Sequence, residues 1–110
     1  MKSENEEILD KKRELTQYLY YQGRLWSYKI KTDTILSDRE LIEKSLNYLA
    51  FEDMWMLWEI YSEDYIRKVW EEDMLPNETF FGITNRQVAP MLFGIENYDA
   101  YREKICGKKE

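Results

Sequence analysis

The chain has 110 residues, 44% hydrophobic and 15% aromatic, which is enough apolar material for one core and too much for a disordered chain. Sixteen basic against twenty-two acidic residues leave a net charge of −6, and four glycines with two prolines exclude collagen-like or low-complexity character. Histidine is absent and cysteine occurs once, as Cys106, so His-based triads, His-ligated metals, a disulfide framework and a CxxC zinc site are all excluded.

The opening residues Met1-Lys2-Ser3-Glu4-Asn5-Glu6-Glu7 lack the apolar run of a secretory signal, and no stretch approaches the roughly 18 apolar residues of a membrane span. A cytoplasmic protein is expected. Ser3 with Glu6 three residues on is a capping-box pattern, which predicts a helix start near Ser3. Ile8, Leu15, Tyr18 and Leu19 then share one face, and Gly23 is a natural stop. Residues 24–35 mix β-branched and aromatic side chains with lysines and show no helical period, which predicts an extended arm or loop.

Ser37 and Glu40 form a second capping box, with Leu36 and Leu41 at the two positions of a hydrophobic staple. A helix over residues 37–49 would bury Leu41, Ile42, Leu46 and Leu49. The segment from Phe51 to Tyr61 is apolar almost all round, as for a helix buried on more than one side or covered by a partner. Ser62 is placed to cap a fourth helix, with Glu63 and Asp64 in its first turn, an apolar stripe of Tyr65, Ile66, Val69 and Trp70, and a stop at Pro76. A fifth helix is expected from Thr84 or Asn85, carrying Val88, Met91 and Leu92 and kinked or shortened by Pro90. After Gly94, Asn97 can cap a last helix with Tyr98, Tyr101 and Ile105 inward. The fold class is all-α: a compact bundle of five to six short helices in one domain over residues 1–110.

Carboxylates are the only abundant groups of catalytic type. Glu59 and Glu63 are four apart, and Glu71, Glu72 and Asp73 run together. A Mg²⁺ site would need such oxygens to converge, whereas a solvated helix face needs nothing more. No phosphate-binding glycine loop is present, and Cys106 has no histidine to act as its base. These patterns point to a chain that is not an enzyme and holds no metal or cofactor.

Between Glu40 and Glu78 eleven acids face three bases, a net charge of −8. Such a surface repels phosphate backbones and favours a basic partner. A helix-turn-helix over residues 65–75 and 84–92 would offer only Asn85, Arg86 and Gln87 to base edges. Among the aromatics, Trp55, Trp58 and Trp70 fall on apolar stripes and are assigned to the core. Trp26 and Tyr28 lie on no stripe, and suit either a surface anchor or a plug over the bundle end.

Three pieces in order carry a resemblance: Leu25-Trp26-Ser27-Tyr28; Leu41-Ile42-Glu43-Lys44-Ser45-Leu46 running on to Phe51-Glu52-Asp53-Met54; and Ile66-Arg67-Lys68-Val69-Trp70. With Leu75-Pro76 through Asn85 and Phe93-Gly94-Ile95, they resemble an uncharacterised family of short all-helical bacterial proteins encoded beside AbiEii-type nucleotidyltransferase toxins. The resemblance covers residues 24–95, leaving 1–23 as an N-terminal helical extension and 96–110 as a C-terminal helix and tail. Leu49-Ala50 stand where the family has a glycine, and no Asp follows Tyr28. The resemblance implies an antitoxin-like, non-catalytic protein that neutralises or regulates a nucleotidyltransferase toxin with a basic surface. Trp26, Tyr28, Glu52, Asp53, Glu63, Asp64, Glu71 and Glu72 are the candidate partner-binding residues. The alternative expectation is a DNA-binding autorepressor of its own operon, and a homodimer is compatible with either.

Overall fold

Ser3 does what its spacing predicts. Its Oγ accepts the Glu6 backbone N–H at 3.2 Å and donates to the Glu6 carboxylate at 3.3 Å, and helix α1 (Glu4–Tyr21) starts directly after it. In this computed structural model the chain is described over residues 3–23 and 34–107, and the described residues form six α-helices and no strand. They fall into two compact units that divide after Glu63.

In the first unit α1 contributes Leu15, Thr16 and Leu19 as fully buried residues, while Ile8 and Tyr18 are only half-buried. Thr16 is the unexpected member of that face. Its hydroxyl donates to the Lys12 carbonyl at 2.8 Å and accepts the Leu36 N–H at 3.3 Å, so a buried hydroxyl and a loop amide satisfy each other. Ser37 caps α2 (Asp38–Tyr48) through the Glu40 N–H at 3.2 Å, and Leu36 and Leu41 are both buried, as a staple requires. Ile42, Leu46 and Leu49 are buried with them. The extended arm expected over residues 24–35 lies largely outside the described residues.

The stretch expected as one helix from Phe51 to Tyr61 is broken. A 3-10 turn (Phe51–Asp53) leads through Met54 into a single helical turn, α3 (Trp55–Trp58), and turns follow from Glu59. Met54 and Leu57 point inward, Trp58 is half-buried, and Trp55 is exposed, so assigning Trp55 to the core was incorrect. Too few consecutive helical residues exist here to keep a 3.6-residue stripe in register, and two of the apolar side chains are left outside.

The second unit begins within α4 (Glu63–Val69), which passes into a π turn (Trp70–Met74) before Pro76. The Leu75 N–H reaches back to the Trp70 carbonyl at 2.8 Å, an i to i+5 bond. In α geometry Leu75 would sit about 140° round from Trp70, but the wider turn brings it back to the same side. Val69, Trp70, Met74 and Leu75 are accordingly all fully buried.

Helix α5 (Glu78–Phe93) begins six residues earlier than expected, because Asn77 is its cap and accepts the Phe80 N–H at 3.1 Å. Pro90 lies inside it on the exposed side, and Gly94 closes it at φ +65°, where a side-chain-bearing residue would be strained. The earlier start changes which residues face inward: Phe81, Asn85, Val88, Ala89 and Phe93 are buried, and Met91 is exposed. Asn97 caps α6 (Tyr98–Cys106) as expected, with Tyr98 buried and Tyr101 half-buried, but Ile105 is exposed because it lies in the last turn of the helix.

Candidate functional site

In the first unit the 3-10 turn and α3 present an aromatic pair to solvent. Phe51 and Trp55, four residues apart, are each 57% exposed, with Glu52 exposed beside Phe51 and Glu59 exposed four residues beyond Trp55. Asp53 belongs to the framework beneath them: it accepts the Tyr18 hydroxyl from α1 at 2.8 Å, and that bond to a carboxylate raises the Tyr18 pKa. A second tyrosine–aspartate bond, Tyr61 to Asp38 at 2.6 Å, fastens the end of the unit to the start of α2. Lys12 reaches the same carboxylate at 2.9 Å. Burial alone would raise the Asp38 pKa, but the Tyr61 hydroxyl and the Lys12 ammonium hold it below its ordinary value.

The candidate residues of the sequence therefore separate. Glu52 is exposed, Asp53 is half-buried and engaged, and Glu63 is exposed at the start of α4. In the second unit Asp64 and Glu72 are exposed, whereas Glu71 accepts a short hydrogen bond from the Tyr101 hydroxyl and lies 3.6 Å from Arg67. Arg67 also donates to the Tyr101 hydroxyl, and its guanidinium lies 5.3 Å from the Tyr101 ring centroid and 5.8 Å from that of Phe93. Burial and the Glu71 bond raise the Tyr101 pKa. Glu71 is thus tied to α6 through Tyr101. Trp26 and Tyr28 lie outside the described residues.

Asn85, one of the three residues that a helix-turn-helix would offer to base edges, is not on the surface. It is fully buried, its Oδ1 accepts the Trp70 indole N–H at 2.9 Å, and its Nδ2 donates to the Met74 carbonyl at 3.0 Å. The amide thereby satisfies a buried indole and a carbonyl of the π turn together. Arg86 is bound as well, to Glu78 at 2.9 Å and Asp99 at 3.0 Å, and stacks over Tyr98 at 4.7 Å; the Asp99 bond raises its pKa.

Sequence reasoning missed the node on which these bonds converge, Glu78. It accepts the Tyr98 hydroxyl at 2.7 Å and Arg86, and lies 3.5 Å from Arg102, which donates to the Leu75 and Pro76 carbonyls. Gly82 leaves room for that carboxylate, since a Cβ there would come within 2.7 Å of it. The available signal was the Asn77-Glu78 pair, a cap followed by an acid in the first turn.

No group of three or more metal-ligating side chains is gathered among the described residues, and Cys106 is exposed. No helix among them is long and apolar enough to cross a membrane. Comparison with known protein families, curated proteins and solved structures returns no match.

Proposed function

We propose that this chain is a non-catalytic protein-interaction module, antitoxin-like, which neutralises or regulates a nucleotidyltransferase toxin through an aromatic and acidic contact surface. The observation that carries the reading is the exposure of Phe51 and Trp55, four residues apart in sequence, with Glu52 exposed beside Phe51. Large exposed aromatics bury much area when a partner covers them, which is what interface anchors do. The acidic excess between Glu40 and Glu78 supplies the complementary half: it steers the module toward a basic surface and accelerates encounter at low salt. The choice of a nucleotidyltransferase partner rests on the family resemblance of residues 24–95.

The test is co-expression with the nucleotidyltransferase of the neighbouring reading frame, with a tag on this chain. Co-purification, restored growth and affinity that falls as salt rises are expected. Phe51→Ser with Trp55→Ser should weaken capture at least about tenfold, near 1.4 kcal/mol, without loss of helicity. Failure to co-purify, or capture indifferent to that double substitution, refutes the reading. A shift of promoter DNA by the chain alone would favour the autorepressor instead.

A further inference from the structure

Helix α5 carries a second apolar surface, distinct from the pair at Phe51 and Trp55. Phe80 is 72% exposed, Ile83 80% and Met91 53%. Phe80, Ile83, Gln87, Pro90 and Gly94 follow one another at spacings of three and four, and all are exposed, so they form one seam along the outer side of the helix. In a chain with 35% charged residues, the seventeen positions from Thr79 to Ile95 hold a single charge, Arg86, which Glu78 and Asp99 already neutralise.

We propose that this seam is a homodimer interface in which α5 packs antiparallel against α5 of a second copy, with the two-fold axis at Gln87. Three features select a second copy over any other occupant. The seam is self-complementary about Gln87: Ile83 lies four residues before it and Met91 four after, so each Ile83 meets the other copy's Met91. Phe80 lies seven before and Gly94 seven after, so each Phe80 ring lands on the other copy's Gly94, where a Cβ would find nothing within 4 Å. The central Gln87 amides face each other and can donate and accept reciprocally, which an isologous contact requires.

Electrostatics agree. Each copy carries −6, so association must use a face without uncompensated charge, and this stretch provides one. The same neutrality gives a basic partner nothing to be drawn by, and antiparallel helices set opposite dipole ends together. Side chains of this size at these exposures remove on the order of 400–500 Å² per copy from water, or about 800–1,000 Å² in all, below the roughly 1,200 Å² of stable interfaces and in the range of weak, transient ones. A dimer dissociating in about the micromolar range is expected.

Sedimentation velocity of the full chain, from low to high micromolar concentration, tests this. The wild type should pass from monomer to dimer. Ile83→Asp should weaken dimerisation at least about tenfold with an unchanged far-UV spectrum, because Ile83 is exposed in the monomer. In a Cys106→Ser background, Gln87→Cys should cross-link to its own copy under mild oxidation, whereas Glu103→Cys should not. Phe51→Ser with Trp55→Ser should leave the dimer intact, which separates this surface from the proposed toxin contact. A monomer at every concentration, a dimer indifferent to Ile83→Asp, or no cross-link through position 87 overturns the proposal.

Discussion

Replacing Asn85 by Ala tests the central polar contact of the second unit. The substitution removes both the acceptor of the Trp70 indole N–H and the donor to the Met74 carbonyl, in a place with no solvent exposure. Each orphaned buried group costs about 1–3 kcal/mol. Two of them would cost about 2–6 kcal/mol without relaxation, and we expect about 3 kcal/mol because the π turn can shift slightly. That is a large part of the 5–15 kcal/mol typical of a domain. Urea unfolding followed by far-UV circular dichroism measures it. Trp70→Phe deletes the indole donor while keeping an aromatic ring beside Phe93, whose centroid lies 5.0 Å from that of Trp70. The double substitution should therefore cost about 1 kcal/mol less than the two singles added together. A loss below about 1 kcal/mol for Asn85→Ala, or strict additivity, would refute the reasoning.

Ser45, fully buried in α2, has no hydrogen-bond partner for its hydroxyl among the described residues. Ser45→Ala is therefore expected to raise stability by about 0.5–1.5 kcal/mol, read as a higher urea midpoint with an unchanged slope. Asp38 is held ionised in the fold, so its contribution is complete above about pH 4 and is lost as pH falls through the depressed folded value. Asp38→Asn should lower stability at pH 7 and flatten the acid limb of the stability–pH curve; an unchanged acid limb would rule this out. Burial and the bond to Glu78 push Tyr98 up to about 12, so the fold retains its proton and this stability is lost between about pH 10 and 12. Tyr98→Phe should make the alkaline loss shallower, and tyrosinate absorbance should show one phenol fewer ionising in that late range.

What could be read from the sequence was what is decided within four residues. The caps at Ser3, Ser37 and Asn97 were legible because side chain and amide belong to the same turn. Asn77 offered the same signal, but the helix was started too late, at Thr84 or Asn85, and the seam of Phe80 and Ile83 was missed with it. The identity of Asn85 suggested a surface role, while its position, four residues after Phe81 and three before Val88, puts it on the buried stripe. Position was the better guide, because a buried amide is tolerated where two partners wait for it. The segment from Phe51 to Tyr61 failed for the opposite reason. Apolar content all round matches a buried helix equally well as a broken turn with two aromatics outside, and composition cannot separate the two. The wide turn at Trp70 was out of reach, since its one additional residue leaves no mark on a pattern read at 3.6 residues per turn.

That turn bears on how the chain can change length. A helix that gains one residue normally rotates everything downstream by about 100°, turning its inward side outward. Between Trp70 and Leu75 the gain is absorbed locally: both ends stay buried, and the surplus falls among Glu71, Glu72 and Asp73, none of which is fully buried. Insertion and deletion are thus unequal along this chain. Losing one of those three acids would leave an ordinary α turn with Trp70 and Leu75 four apart and still on one face, whereas gaining another would swing Leu75 away from Trp70 although no buried side chain had itself been changed. Length at this point is as much a determinant of the core as the identity of the tryptophan.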